Sequence, residues 1–361
     1  MIYFILLGFP LLVGPCRSLP NGKMLYRFFI FCFFIILVLF SGLRWNTGTD
    51  WMPYRQYFQD QNNSFLSFEV GYVWLTSAVK TFTNSYTVFL LIDSIFALIP
   101  VWYVLQTEND GDPISLAVFF SYYYTINYLG SNRRIISIGL CLLALLAIIK
   151  NKPLLFTSLC LASFLFHRSS LIFLIAWPIY HLKASKKLYG LLLLIAVALL
   201  ILNPFQYLVT HWQGATGIVL IDKVVGYSDN NAIDPNINYG LQNAISIVKR
   251  SLFLALIWWG WTKQTGEEKI KYEGLLNIYV FSFTFYLIFT GTVELFKSLT
   301  VYFSIVELLL LPRALFCVDK KFRPLAYCLF ICVLFGQQYS ALHSFWDLYV
   351  PYRSVLWGGS R

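Results

Sequence analysis

Apolar residues run along this chain in stretches of about 14 to 20, broken by short polar segments. Thirteen such stretches fall at about 1–15, 25–43, 67–82, 86–105, 114–130, 134–149, 153–166, 169–183, 187–203, 246–262, 274–291, 298–316 and 325–340. They lack the period-two alternation of a transmembrane β-strand, and their continuity suits helices whose solvent is lipid. The pattern predicts an all-α fold, a polytopic transmembrane helical bundle forming one integral membrane domain over 1–361. No repeat or low-complexity tract divides it.

Charge sets the orientation. Five breaks carry the basic residues expected of cytoplasmic loops: Arg17/Lys23/Arg27, Lys150/Lys152, Lys183/Lys186/Lys187, Lys263/Lys269/Lys271 and Arg313/Lys320/Lys321/Arg323. They hold 15 of the 27 Lys and Arg residues, so the remaining cations need another explanation. The long segment 204–245, with Asp222, Asp229 and Asp234 against Lys223, suits a large periplasmic loop. Placing 16–27 and 150–152 on one side requires that an odd number of the thirteen stretches fail to cross. The stretch 67–82, short and bearing Glu69 and Lys80, is expected to be re-entrant or interfacial. About 12 spans result.

Composition agrees with this picture: 58% of residues are hydrophobic and only 12% charged, half the charged share of a soluble domain. The net charge of +10 is scattered among loops, which argues against nucleic acid as a partner. The seven cysteines form no CxxC and read as packing or lipid-facing residues. Met1 to Pro15 lacks a basic leader region and a cleavage site, and reads as a retained first span.

Some polar residues are not explained by topology. In Leu43-Arg44-Trp45-Asn46-Thr47-Gly48-Thr49-Asp50-Trp51-Met52-Pro53-Tyr54 the aromatics suit a membrane interface, but an Arg and an Asp flanking a glycine turn suggest a ligand. Glu69, in Phe68-Glu69-Val70-Gly71-Tyr72, reads equally as a helix N-terminal charge or as a general base. Arg133-Arg134 faces outward, where an anion would account for paired guanidiniums. His167-Arg168 would sit at the bilayer centre if 153–181 were one helix, so the chain is expected to break there into two short spans. Lys249-Arg250 either snorkels or holds phosphate, while Glu294 and Lys297 suit a simple i, i+3 pair.

Outward cations beside acids and a histidine suit a membrane-anchored anion with its reactive group at the surface. A polyprenyl pyrophosphate-linked sugar meets that description. The cations would stabilise the leaving pyrophosphate, and a carboxylate or imidazole would take the acceptor hydroxyl's proton. No Gly-rich nucleotide loop, metal cluster or cofactor motif is present.

The ordered set Gly42-Leu43-Arg44…Gly48-Thr49-Asp50…Tyr54, Phe68-Glu69-Val70-Gly71-Tyr72, Arg133-Arg134 and Phe166-His167-Arg168-Ser169 resembles the EpsG family, which is similar to Wzy-type O-antigen and exopolysaccharide polymerases. The resemblance covers roughly 40–180, with echoes at Lys223…Tyr227, Lys297…Tyr302 and Pro351-Tyr352. Arg134 stands where the family often has Gln, and Lys297 where Arg is expected. The resemblance implies a glycosyltransferase of the bacterial inner membrane that acts at the periplasmic face without metal or cofactor. It would move a glycan from undecaprenyl pyrophosphate to a sugar hydroxyl of another lipid-linked repeat unit. A chain-length regulator and a flippase would be its protein partners. Arg44, Arg133 and Arg168, with Arg134 and Arg250, would hold the pyrophosphate; Asp50, Glu69 and His167 are the candidate bases. An O-antigen ligase shares nearly every feature. A flippase or other transporter would instead line a path across the membrane with charge.

Overall fold

The computed structural model describes residues 1–20, 22–60, 68–204, 239–290 and 294–357. The expected loop over 204–245 therefore falls, across 205–238, outside the described residues, and so does the Lys223…Tyr227 motif. Among the described residues there is no strand, only one isolated bridge between Arg44 and Ser354. The chain forms two compact units, Met1–Leu174 with Val318–Arg361, and Ile175–Cys317.

The first unit opens with α1 (Ile2–Val13) and α2 (Gly22–Gly42), followed by two short helices, α3 (Trp51–Gln59) and α4 (Val70–Lys80). Next come α5 (Tyr86–Asn109), α6 (Pro113–Val118), α7 (Asn132–Ile149) and α8 (Pro153–Phe166). Local chemistry fixes several of these boundaries. The Ser85 hydroxyl accepts the Val88 N–H to start α5, and Asp110, in the left-handed region at φ 50°, ends it. Asp112 caps α6 by accepting the N–H groups of Ile114 (2.8 Å) and Ser115 (3.3 Å), with Pro113 at the first helical position. From Phe119 to Tyr128 the backbone widens into a π-helix, the form that recurs beside functional sites. Hydroxyls help to hold this stretch, through Ser121 Oγ to the Leu334 carbonyl (2.9 Å) and Tyr128 Oη to the Ala97 carbonyl (3.0 Å).

Helices α7 and α8 pack closely where Ser137 Oγ meets Ser163 Oγ at 2.8 Å, small hydroxyl side chains letting the backbones approach. At one end of α2, Arg17 and Arg27 pair with Asp110 (3.3 and 3.0 Å) and Arg17 also with Asp112 (3.6 Å). The other end leads, 21 residues and about 30 Å away, into the Leu43–Asp50 loop. That rise matches the hydrocarbon thickness of a bilayer.

In the second unit the helix Lys186–Leu202 packs on Gly266–Phe289 around buried Ala196, Phe283 and Leu287. The Asn277 amide donates to the Leu182 carbonyl at 2.7 Å and its oxygen accepts the Tyr189 hydroxyl.

Among the described residues six helices are long and apolar enough to cross a membrane: Gly22–Gly42, Tyr86–Asn109, Asn132–Ile149, Gly240–Lys263, Gly266–Phe289 and Arg323–His343. A seventh is reached if the pair Phe296–Ser304 and Glu307–Phe316, bent by 53°, counts as one span. By this measure the expected count of about twelve is not reached among the described residues. Hydropathy counts apolar residues and does not see where the helix axis breaks. The stretch 114–130 divides between α6 and the π-helix, and 169–183 divides into a 3-10 helix (Arg168–Ile175) and a six-residue helix, Ala176–His181, while the expected break after 153–166 is present at the end of α8. Helix α4 has 11 residues, about 16 Å, too few to span, as expected for 67–82.

Candidate functional site

The loop from Leu43 to Asp50 is shaped by two residues with positive φ, Asn46 (43°) and Gly48 (112°). Gly48 is required twice over, because a Cβ there would also collide with the Leu129 carbonyl oxygen. The chain's C-terminal segment straps this loop in place. Trp45 N–H donates to the Arg353 carbonyl (2.9 Å), Gly48 N–H to Leu348 (3.1 Å) and Val355 N–H to Leu43 (3.0 Å). Pro351-Tyr352, singled out in the sequence, lies within this strap, and the Tyr352 hydroxyl donates to the Phe40 carbonyl (2.7 Å). Asp50 N–H in turn donates to the Gly130 carbonyl (3.2 Å), bringing the loop to the first turn of α7.

Arg133, in that first turn, is the hub. Its Nη1 pairs with Glu69 Oε2 and its Nε donates to the Tyr54 hydroxyl at 3.0 Å, which also meets Ser131 Oγ at 2.9 Å. The guanidinium lies over the Phe68 ring, 4.4 Å from its centroid. Glu69 stands at the N-terminal cap position of α4 without a side-chain cap bond, and its second oxygen accepts the Arg168 backbone N–H at 3.2 Å. One carboxylate thus ties α7 to the break after α8, where His167 is extended (φ −152°, ψ 112°). His167 Nδ1 meets Ser169 Oγ at 2.6 Å.

The electrostatics separate the three candidate bases. Burial pushes the Asp50 carboxyl up, opposed by the Thr49 hydrogen bond and by Arg133 and Arg134. For Glu69 burial works upward as well, but the Arg133 charge and the hydrogen bonds from backbone N–H groups and Arg133 outweigh it, and its carboxyl sits below the usual range. Burial lowers His167 to about 4, assisted by the Arg134 and Arg133 charges and resisted by Glu69. At neutral pH the imidazole is therefore uncharged and Glu69 is ionised.

The structure therefore brings Asp50, Glu69, Arg133, Arg134 and His167 together, with Arg168 joined through its backbone and its side chain exposed. Arg44 is placed differently. It is 1% exposed and lies beneath the site, with Nη1 donating to the Ser41 carbonyl (2.8 Å) and hydroxyl (2.6 Å) and Nη2 to Asn132 Oδ1 (2.6 Å). Arg250 lies in the second unit, on the helix Tyr239–Lys263. There Nη1 stands 3.7 Å from Glu307 Oε1 and the guanidinium 4.3 Å from the Tyr286 ring centroid. Lys297, in the same unit, donates to Asn243 Oδ1 at 3.3 Å.

In the sequence Tyr54 has only a place among the interfacial aromatics, and no site role falls to Phe68, Ser131 or Asn132. Tyr54 follows Asp50 by one helical turn, a spacing that would have placed both on one face of α3.

Gly71 makes the Glu69 contacts possible. A Cβ there would stand 2.8 Å from the Leu165 carbonyl oxygen and 3.0 Å from its carbon, so only glycine lets α4 approach the end of α8. Gly71→Ala is expected to cost about 1–3 kcal/mol of stability through this overpacking. It should also push His167 away from Glu69 and lower activity. Thermal unfolding in detergent, with an activity assay, checks this; an unchanged midpoint and rate would contradict it.

A family model described as the EpsG family matches residues 27–354, nearly the whole chain. No curated protein and no solved structure gives a match.

Proposed function

The chain belongs to the EpsG family, a Wzy-like polymerase family, and from that premise we propose that it is a polysaccharide polymerase working on lipid-linked repeat units. The observation that carries this reading is the meeting of Arg133, Arg134, Asp50, Glu69 and His167 beyond the end of α2 remote from the Arg17 and Arg27 ion pairs. Basic residues favour the cytoplasmic side, so this cluster faces the periplasm of a bacterial inner membrane. A transporter would instead distribute its charges along a path.

In the proposed reaction, a hydroxyl oxygen of the acceptor repeat unit attacks the anomeric carbon of the donor. The bond from that carbon to the pyrophosphate oxygen breaks, and undecaprenyl pyrophosphate leaves with the electron pair. Arg133 and Arg134, joined by exposed Arg168, stabilise the charge that grows on the leaving oxygen. The hydroxyl proton passes to Asp50 or His167. Glu69 is the weakest of the three as a base. Its oxygens already accept two hydrogen bonds and it is held in the ionised form, which suits aiming Arg133. Arg44 serves below the site as a support and not as a ligand of the pyrophosphate.

Titration of His167 checks the electrostatics. With the folded value near 4 and an unfolded value near 6.5, the unfolded chain takes up the proton first as pH falls. This residue's contribution to stability is therefore complete above about pH 6.5 and is lost on the way down to about 4. In 15N-histidine-labelled protein the imidazole should titrate near 4. Arg134→Gln should raise the midpoint and Glu69→Gln should lower it further; a midpoint near 6.5 would refute the burial and charge argument.

Deleting the gene and inspecting the surface glycan by gel tests the function. Single repeat units on their acceptor indicate a lost polymerase. Bare acceptor, with polymer left on undecaprenyl, would point to a ligase instead.

A further inference from the structure

In the second unit the helices Lys186–Leu202, Tyr239–Lys263 and Gly266–Phe289 line an apolar groove of about 600 Å³. Buried Phe283 and Leu287 lie at its base, and Leu193, Val197, Leu254 and Trp258 line it. Gly190 keeps it open, since a Cβ there would meet nothing within 4 Å. The lining runs from Lys186 to Val197 on one helix and from Trp258 to Ile247 on the next, a rise of about 16 Å on each. That is about half the hydrocarbon thickness of a bilayer, the depth of one leaflet.

The groove starts at the basic end of these helices. Lys186 Nζ lies 5.2 Å and Lys269 Nζ 5.3 Å from the centroid of the same Trp261 ring, whose own centroid is 5.1 Å from that of Trp258. Among the described residues neither ammonium group has a carboxylate within ion-pair distance. The Trp261 indole N–H is buried there with no hydrogen-bond partner. Segments 183–187 and 263–273 set Lys183, Lys186, Lys187, Lys263, Lys269 and Lys271 against Glu267, Glu268 and Glu273, so positive charge prevails.

Topology accounts for basic loops on the cytoplasmic side. It does not account for Lys186 and Lys187 in the first turn of a helix, where the dipole disfavours cations, or for two ammonium groups sharing one ring. An anion at this mouth answers both. We propose that the groove binds an anionic phospholipid of the cytoplasmic leaflet, with its phosphate at Lys186 and Lys269 and an acyl chain along Gly190, Leu193 and Val197. Basic pockets between transmembrane helices take acidic headgroups in this way. A zwitterionic lipid carries no net charge for these lysines to attract, and an undecaprenyl chain is too long to end with the groove. The proposal does not depend on the polymerase reading.

The test uses the full chain in detergent, stripped of lipid, with thermal unfolding and native mass spectrometry as readouts. Phosphatidylglycerol should raise the midpoint saturably by about 3–5 °C, whereas phosphatidylcholine of the same chains and inorganic phosphate should not. Undecaprenyl phosphate should leave the retained phosphatidylglycerol in place. Lys186→Gln combined with Lys269→Gln should weaken phosphatidylglycerol binding about tenfold or more. Gly190→Leu places its side chain in open space, so it should fold normally and lose the shift. Equal stabilisation by phosphatidylcholine, the full effect from inorganic phosphate, or displacement by undecaprenyl phosphate would overturn the proposal. So would undiminished binding in either variant. If the double lysine variant does not fold, Gly190→Leu decides.

Discussion

Arg133→Ala is expected to reduce polymerisation by about 100-fold or more, the loss seen when one donor to a developing anion is removed. The substitution does three things at once. It removes the cation from the place where pyrophosphate charge would grow, frees Glu69 from its partner, and releases Tyr54 from its hydrogen bond. The side chains of Arg133 and Glu69 are 20% and 11% exposed, so water partly relieves the orphaned carboxylate. The stability cost should then be about 1–3 kcal/mol, short of that for a fully buried pair. Arg133→Lys keeps the charge but loses the fork that reaches Glu69 and Tyr54 together, and it should recover little. Initial rates with purified protein and thermal unfolding separate the two effects. A variant that folds normally and polymerises at the full rate would remove Arg133 from the reaction.

The second large effect is expected at Asp50. Asp50→Asn preserves shape and can still bond to Thr49, so folding should be little changed, while a proton acceptor is lost. If Asp50 is the base, the rate falls by about 100- to 10,000-fold, and His167→Gln has a smaller effect through the charge balance around Arg133 and Arg134. If His167 is the base, the order reverses. The ratio of the two losses assigns the proton. Loss in neither variant would sink both assignments.

Several parts of this arrangement could be read before any coordinates. The break at His167 follows from the cost of placing His167 and Arg168 at mid-bilayer, and the backbone is extended there. Gly48 stands at a turn that only glycine makes comfortably, and Glu69 occupies the helix N-terminal position that one of its two readings required. Asp50, Glu69, Arg133, Arg134 and His167 were singled out because topology did not explain them, and they meet.

What escaped has physical causes. An arginine that follows an apolar run reads alike whether it caps the membrane surface or is buried, so the sequence alone suggests a ligand-binding cation at Arg44, which the fold buries. Asp93, fully buried within α5, disappears into a helix apolar enough to average it out. The strap from Leu348 to Val355 joins residues some 300 positions from the loop it holds, and pairing at that range leaves no local signature. Fewer helices than expected are long enough to span among the described residues, because π-helix, 3-10 helix and bends divide apolar runs that look uniform in hydropathy.

The central claim is that the Arg133 cluster transfers glycan from a lipid pyrophosphate to a sugar hydroxyl. It is tested most directly by incubating the purified protein in nanodiscs with a single undecaprenyl pyrophosphate-linked repeat unit. The account predicts a ladder of polymer, one undecaprenyl pyrophosphate released for each new linkage, and neither product from Arg133→Ala. Repeat units recovered unchanged from the unaltered protein, or pyrophosphate released with no new linkage, would contradict it.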